Sequence, residues 1–126
     1  MTRWVALTVV LAIHEEQLAE HGGLDGIRDQ GLLESALHRP RNLESYGQPD
    51  LADFAAAYAF GIARNHPFLD GNKRTSAVVT RLFLRLNGHD LNATQAERLA
   101  IWLALGAGEV TENGLADWMR NRLVKL

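Results

Sequence analysis

The segment His66-Pro-Phe-Leu-Asp-Gly-Asn-Lys-Arg-Thr75 lies between two apolar stretches and holds a histidine, an aspartate, a glycine, an asparagine, a lysine and an arginine. A junction between two buried helices would be far less polar than this. The sequence therefore predicts a functional loop here, with one helix ending before it and another beginning after it.

Helical patterns flank this loop on both sides. Asp50 is a suitable N-cap for the preceding helix, whose apolar residues recur at helical spacing. The following helix is predicted to begin near Asn72 and to end at Asn87-Gly88. Arg81 and Arg85, on the polar side of that helix, are interpreted as a solvated face. The loop should thus join the two central helices of the domain.

Four more helices complete the pattern, and no stretch alternates for long like an exposed strand. The first is capped by Thr8 and ends at His21-Gly22-Gly23. The second must stop near Arg39, because Pro40 disfavours helical geometry before it. Thr94 and Thr111 begin the last two. The predicted fold is all-α, a compact bundle of about six helices.

Composition indicates one globular domain over residues 1–126, since 47% of the residues are hydrophobic. The chain has no cysteine, which excludes disulfides and fits a reducing compartment. A net charge of -2 gives no reason to expect broad nucleic-acid or membrane binding. The apolar run from Trp4 to Ile13 is shorter than the roughly 20 residues that cross a bilayer. We expect a cytoplasmic protein, monomeric because no long exposed apolar stripe is left over.

The glycine and the two cations of the loop predict an anion site. Gly71 allows a tight turn, and the helix that starts after it presents unpaired N–H groups from about Gly71 to Arg74. Such helix N-termini bind anions. Because Lys73 and Arg74 add positive charge at the same place, phosphate is the expected ligand.

Asp70 and His66 add catalytic chemistry to this anion site. A carboxylate beside a phosphate needs a cation between them, and Mg²⁺ held by Asp70 and substrate phosphates meets that need. Histidine exchanges protons near neutral pH, so His66 is expected to accept a proton from a hydroxyl. Phe68 is expected to pack into the core and, with Pro67, to support the loop. Together these residues predict transfer from a nucleotide to a hydroxyl.

Residues 66–74 match the motif His-Pro-Phe-x-Asp/Glu-Gly-Asn-x-Arg, and the chain resembles the Fic/Doc family through it. Residues 19–23, 32–37 and 58–65 also resemble the death-on-curing branch of that family. The resemblance implies that His66 is the base, that Asp70 holds magnesium, and that Gly71, Asn72 and Arg74 cradle phosphate.

Two positions depart from the family members that transfer AMP. Those usually carry glycine at the position of Lys73 and arginine at the position of Ala77. In the death-on-curing branch, a lysine at that place is associated with a reversed nucleotide and transfer of the γ-phosphate of ATP. The resemblance thus implies a toxin that phosphorylates a threonine of elongation factor Tu and stops translation.

The same resemblance implies two protein contacts. One is a flap that aligns the target, expected at Arg39, Asn42, Leu43 and Tyr46, although an ordinary surface loop explains this stretch equally well. The other is an antitoxin of the Phd type, since the chain has no Ser/Thr-x-x-x-Glu-Gly/Asn helix with which to inhibit itself. Its helix is expected to dock in a groove.

Three alternatives remain open at this point. The enzyme could transfer AMP or UMP instead of phosphate, which the identity of the transferred group would decide. The loop could belong to a module that only binds a nucleotide or an antitoxin, although a pure binder has no need of His66. A helical DNA-binding protein is disfavoured because the basic residues do not follow one recognition helix.

Overall fold

The computed structural model describes residues 1–126 and contains six α-helices and two short strands. The predicted all-α bundle is therefore confirmed. The elements, in chain order, are α1 (Leu7–His21), α2 (Gln30–Leu43), α3 (Leu51–Asn65), α4 (Asn72–Leu86), β1 (His89–Leu91), α5 (Gln95–Gly106), α6 (Glu112–Arg120) and β2 (Leu123–Lys125).

Helix α3 lies at the centre of the bundle and packs against α2, α4 and α6. Its first turn is fixed by a capping box in which Asp50 and Asp53 each accept the other's backbone N–H. Ten of its fifteen residues are buried, and six of those are alanine. Small side chains let the neighbouring helices approach closely, and a Cβ on Gly61 would lie only 3.2 Å from Ala36 of α2.

The larger core side chains lie around this alanine-rich helix. Tyr58 and Phe83 are fully buried with ring centroids 4.9 Å apart, and Trp4 packs against Phe83 and Phe54. The hydroxyl of Tyr58 accepts the backbone N–H of Val5 at 3.0 Å, which ties the start of the chain to α3. The loop between α3 and α4 is therefore mounted on the most densely buried part of the molecule.

Two helix boundaries differ from those expected. Helix α2 does not stop near Arg39 but continues through Pro40 to Leu43, so the expected loop there begins four residues late. Pro40 is buried, and packing outweighs its missing N–H. In a regular helix the N–H of residue 40 would donate to the carbonyl of Ala36. This carbonyl faces Gly61. Helix α1 begins at Leu7 after an Ala6 N-cap, so Thr8 is not its cap.

The sequence also gave no sign of the antiparallel pair formed by β1 and β2, in which Asp90 pairs with Val124. Strands of three residues are too short to show a period of two. Arg81 and Arg85 stay partly exposed, as expected of a solvated face, but both also donate hydrogen bonds to the carboxylate of Asp90, which the sequence did not reveal. Burial alone would raise the pKa of Asp90, but these bonds and the N–H of Leu91 outweigh it and lower the pKa to about 2.

None of the six helices is both long enough and apolar enough to cross a bilayer.

Candidate active site

His66 follows the last residue of α3 and is the only non-glycine residue with a positive φ, 49°. The left-handed conformation is unfavourable for a residue with a Cβ, so surrounding contacts must hold it. Arg28 supplies them: its Nε donates to the carbonyl of His66 at 2.6 Å and its Nη2 to that of Asn65 at 2.8 Å. The guanidinium thus caps α3 and fixes the backbone of His66, whose side chain is exposed.

Asn72 closes the loop from the other side. Its Oδ1 accepts the N–H of Phe68 at 3.0 Å, which identifies the amide oxygen, and its Nδ2 donates to the carbonyl of Phe68 and to Nδ1 of His66. The residue is 5% exposed. Since its side chain is used within the loop, the phosphate contact expected of Asn72 would come from its backbone N–H.

The N-terminus of α4 has the features expected of an anion site. Gly71 is its N-cap at φ 78°, and no side chain caps the helix. The backbone N–H groups of Asn72, Lys73 and Arg74 have no acceptor within the chain. The side chains of Lys73 and Arg74 are exposed beside them, and Arg74 also donates to the carbonyl of Gly22 at 3.3 Å. The start of α4 therefore carries three free donors, and the residues that supply them include two cations, of which Arg74 reaches the end of α1 and Lys73 the end of α5.

Gly106 of α5 determines where the Lys73 side chain lies. A Cβ at Gly106 would come within 2.6 Å of Cδ and 3.2 Å of Cγ of Lys73. The aliphatic part of the lysine therefore lies across the bare backbone at the end of α5. This contact restricts the directions that the side chain can take.

Asp70 has an exposed carboxylate with no cationic side chain bound to it. Its Oδ1 accepts the N–H of Gly71 at 2.9 Å and its Oδ2 that of Leu24 at 3.3 Å. No group of three or more His, Cys, Asp or Glu side chains forms a ready metal cage. A single carboxylate beside an anion site fits Mg²⁺, which is commonly held by one or two carboxylates and substrate phosphates.

Pro67 and Phe68 join the loop to the rest of the fold. Phe68 is 1% exposed and its ring stacks on His14 of α1. The carbonyl of Pro67 accepts the N–H groups of Arg28 and Asp29, and Ile27 forms an antiparallel bridge with Phe68. The segment 24–29, which bends at Gly26 and Arg28, therefore lies alongside the loop and leaves Leu24, Ile27 and Leu69 exposed next to it.

The residues expected to form a flap lie elsewhere. Arg39, Asn42 and Leu43 belong to α2, and only Tyr46 lies in the loop that follows. Arg39 pairs with Glu112 of α6, while Leu43 and Tyr46 line a small cavity with Asp53. Since α3 rises about 1.5 Å per residue, Asp53 is about 20 Å from His66 along its axis. The structure does not bring this stretch to the motif loop, so its placement as a flap is corrected.

Arg28 and His14 are the contacts of the site that the sequence did not reveal. Both act on backbone carbonyls rather than on other side chains. Arg28 lies in the loop between α1 and α2, where the sequence shows neither helical nor strand periodicity. His14 lies within α1 among Leu11, Ile13 and Leu18. The helical spacing that places His14 on the buried side of α1 was the one feature of the sequence that could have indicated this contact.

A groove of about 820 Å³ runs between α4 and α5 and reaches the anion site. Its apolar lining includes Leu82, Leu99, Trp102 and Leu103. Five cations, Lys73, Arg74, Arg81, Arg85 and Arg98, also line it, and no carboxylate does. Leu99 and Leu103 are more than half exposed, so the groove presents an apolar floor with a basic border.

Comparison with known proteins agrees with this geometry. The Fic/DOC family model matches residues 4–84. The chain is 32% identical over 120 residues to the protein kinase doc of Escherichia phage P1, an alignment that covers 94% of each chain. It is 43% identical over 76 residues to the toxin Doc of Mycolicibacterium smegmatis, with 57% of each chain covered.

Proposed function

Because this chain belongs to the Fic/DOC family, we propose that it is the toxin of a toxin–antitoxin pair and transfers the γ-phosphate of ATP to a threonine hydroxyl of elongation factor Tu. It would act in the cytoplasm, with Mg²⁺ as the required ion. The observation that carries the proposal is the uncapped start of α4, where three free N–H groups, the cations of Lys73 and Arg74 and the exposed carboxylate of Asp70 come from five consecutive residues.

The anion site would bind and orient the phosphates of the nucleotide. The N–H groups of Asn72, Lys73 and Arg74 donate to phosphate oxygens, and the two side chains neutralise charge that develops during transfer. The carboxylate of Asp70 would hold Mg²⁺, which would supply further charge neutralisation when bound. Phosphoryl transfer depends mostly on such positioning and electrostatic stabilisation.

His66 would accept the proton of the target hydroxyl. The hydroxyl oxygen attacks the γ-phosphorus, the bond to the β,γ-bridging oxygen breaks, ADP leaves, and the proton moves to a ring nitrogen of His66. Asn72 can only donate to Nδ1, so the ring proton of neutral His66 lies on Nε2 in the ligand-free protein. To accept the proton of the target at Nε2, His66 therefore needs to change its tautomer when the substrates bind.

The rival reaction is transfer of AMP or UMP. In that reaction the hydroxyl attacks the α-phosphorus and pyrophosphate leaves, so the nucleotide must lie in the opposite direction along the site. Lys73 favours phosphate transfer, because a lysine at the second residue of α4 adds a positive charge where glycine would add none.

We place the alignment of the target at residues 24–29. This segment pairs with the motif loop through Ile27 and Phe68 and leaves apolar side chains exposed beside Asp70. An extended peptide of the target could be positioned there by main-chain hydrogen bonds.

The groove between α4 and α5 fits the antitoxin. Its apolar floor and basic border match an amphipathic helix with carboxylates along its edges, and a helix seated there would also cover Lys73 and Arg74. We expect Leu103→Glu to weaken capture of the antitoxin about tenfold or more. The equally polar change Leu126→Glu, at an exposed leucine outside the groove, should leave capture unchanged.

The decisive experiment is the intact mass of purified elongation factor Tu after incubation with this protein, Mg²⁺ and ATP. We expect a gain of one phosphate, and His66→Ala should lower the rate by about 10²–10⁴-fold, as for loss of a general base. A gain of one AMP would establish the rival reaction. A protein that binds nucleotide but modifies neither elongation factor Tu nor other proteins of a cell extract would be a binding module.

A further inference from the structure

His14 is the most buried histidine of the chain, with 3% of its surface exposed, and it lies in α1 directly beneath the motif loop. Its ring stacks on Phe68 with centroids 3.7 Å apart and planes within 9° of parallel. Its Nε2 lies 2.8 Å from the backbone carbonyl oxygen of Asp70. Because a carbonyl oxygen can only accept, Nε2 of His14 carries a proton and donates it to this bond.

This bond acts on the peptide unit that joins the two parts of the site. The Asp70–Gly71 peptide connects the exposed carboxylate to the N-cap of α4. A Cβ on Gly71 would lie 3.7 Å from Nε2 and Cδ2 of His14 and 3.5 Å from Leu18, one turn further along α1. The buried side of α1 thus supports the loop on its inner face while the carboxylate of Asp70 faces outward.

The carboxylate itself has few fixed contacts. It accepts only from two backbone N–H groups, and the bond from Leu24 is long at 3.3 Å. The orientation of Asp70 therefore depends on its backbone, and the shortest hydrogen bond to that backbone comes from His14.

We propose that His14 is a positioning residue, which holds the Asp70–Gly71 peptide so that the carboxylate and the free N–H groups of α4 face the same magnesium–nucleotide ligand. The inference rests on the proposed function of this site. His14 does not contact the ligand. If it were only a core residue, any flat ring that stacks on Phe68 would replace it.

Two substitutions separate the ring from the donor. His14→Phe keeps an aromatic ring against Phe68 and removes the N–H, whereas His14→Gln keeps an amide donor and removes the ring. His38→Phe, at an exposed position of α2, is the matched control. Binding of magnesium with a non-hydrolysable ATP analogue is measured by calorimetry, beside the Tm of each variant.

We expect His14→Phe to weaken binding about three- to tenfold and to lower the Tm relative to the control, because the carbonyl of Asp70 loses its hydrogen bond. His14→Gln should recover part of this affinity although its Tm is also lowered. Binding by folded His14→Phe equal to that of the wild type, whatever its Tm, would overturn the inference.

A second measurement does not need the ligand. In labelled ligand-free protein, the ¹³C shift of the Asp70 carbonyl and the ¹⁵N shift of Gly71 report the hydrogen bond on this peptide. Both should change in His14→Phe and stay near the wild-type values in His14→Gln. Unchanged shifts in His14→Phe would reject the role of His14. Wild-type protein that binds no magnesium–nucleotide would instead reject the proposed function, while the shifts still decide the role of His14.

Discussion

The side-chain Nδ2 of Asn72 lies 3.2 Å from Nδ1 of His66 and donates a hydrogen bond to it. The orientation of the amide is fixed, because Phe68 donates to its oxygen and accepts from its nitrogen. In the ligand-free protein, Nδ1 of His66 is therefore an acceptor. A base that works through Nε2 needs the opposite arrangement, so this contact holds His66 in its resting form.

The first prediction concerns the tautomer of His66. We expect the ring ¹⁵N spectrum of the free protein to show the proton on Nε2, and addition of magnesium, an ATP analogue and a threonine-containing target peptide to move it to Nδ1. Asn72→Asp should favour the Nδ1–H form without ligands, because a carboxylate can accept from it, at a stability cost of about 1–3 kcal/mol. A proton on Nδ1 in the free wild-type protein would contradict this account.

The second prediction uses Gly106 to move Lys73. An alanine at Gly106 would overlap the lysine side chain at Cδ, so the side chain must leave the backbone of α5. We expect Gly106→Ala to lower phosphate transfer several-fold while stability stays equal or rises by up to about 1 kcal/mol. In a Lys73→Ala background the same change should have no further effect on the rate. Equal losses from Gly106→Ala in both backgrounds would show that it acts by another route.

The third prediction concerns Arg28, which holds His66 in its left-handed conformation. Arg28→Ala removes two hydrogen bonds to carbonyls, so we expect a loss of about 1–3 kcal/mol of stability and a fall in kcat much larger than any change in KM for ATP. Arg122→Ala serves as the control, because Arg122 also donates to a carbonyl, that of Trp118. It should reduce stability and leave kcat unchanged. A similar kcat for both variants would mean that Arg28 does not position His66.

The fourth prediction follows from the low pKa of Asp90. The carboxylate has a pKa of about 2 in the folded chain against 3.8 ordinarily, so the unfolded chain binds the proton more readily. This contribution, about 2 kcal/mol, is fully present above pH 4 and is lost as the pH falls toward 2. Urea unfolding of the wild type and of Asp90→Asn from pH 6 to pH 2 should show a difference that is constant above pH 4.5 and shrinks below it. A difference independent of pH would contradict the ion pairs with Arg81 and Arg85.

The helices around the loop could be predicted because local signals fix them. Asp50 caps α3, and Thr94 and Thr111 cap α5 and α6. Glycines with positive φ follow the ends of α1, α4 and α5, namely Gly22, Gly88 and Gly108. The chemistry of the loop was readable for the same reason, since its polar residues are adjacent in sequence. Such features need no knowledge of the tertiary structure.

Features that depend on contacts between distant residues were missed or misplaced. Helix α2 passes through Pro40 because burial outweighs a local preference, and this error moved the expected flap to the wrong end of α3. The bonds from Arg28 to His66 and from His14 to Asp70 join residues 38 and 56 positions apart. No periodic pattern in the chain encodes contacts of this kind.

The alanine-rich surface of α3 bears on how such an enzyme can be regulated. A methyl side chain has no alternative rotamers, so the layer that supports the motif loop contains few groups able to switch between two packed arrangements. Allosteric transitions need an element with two such arrangements. A signal arriving at the far side of α3 would therefore have to reach the loop through the contacts of Arg28 and His14 rather than through this layer.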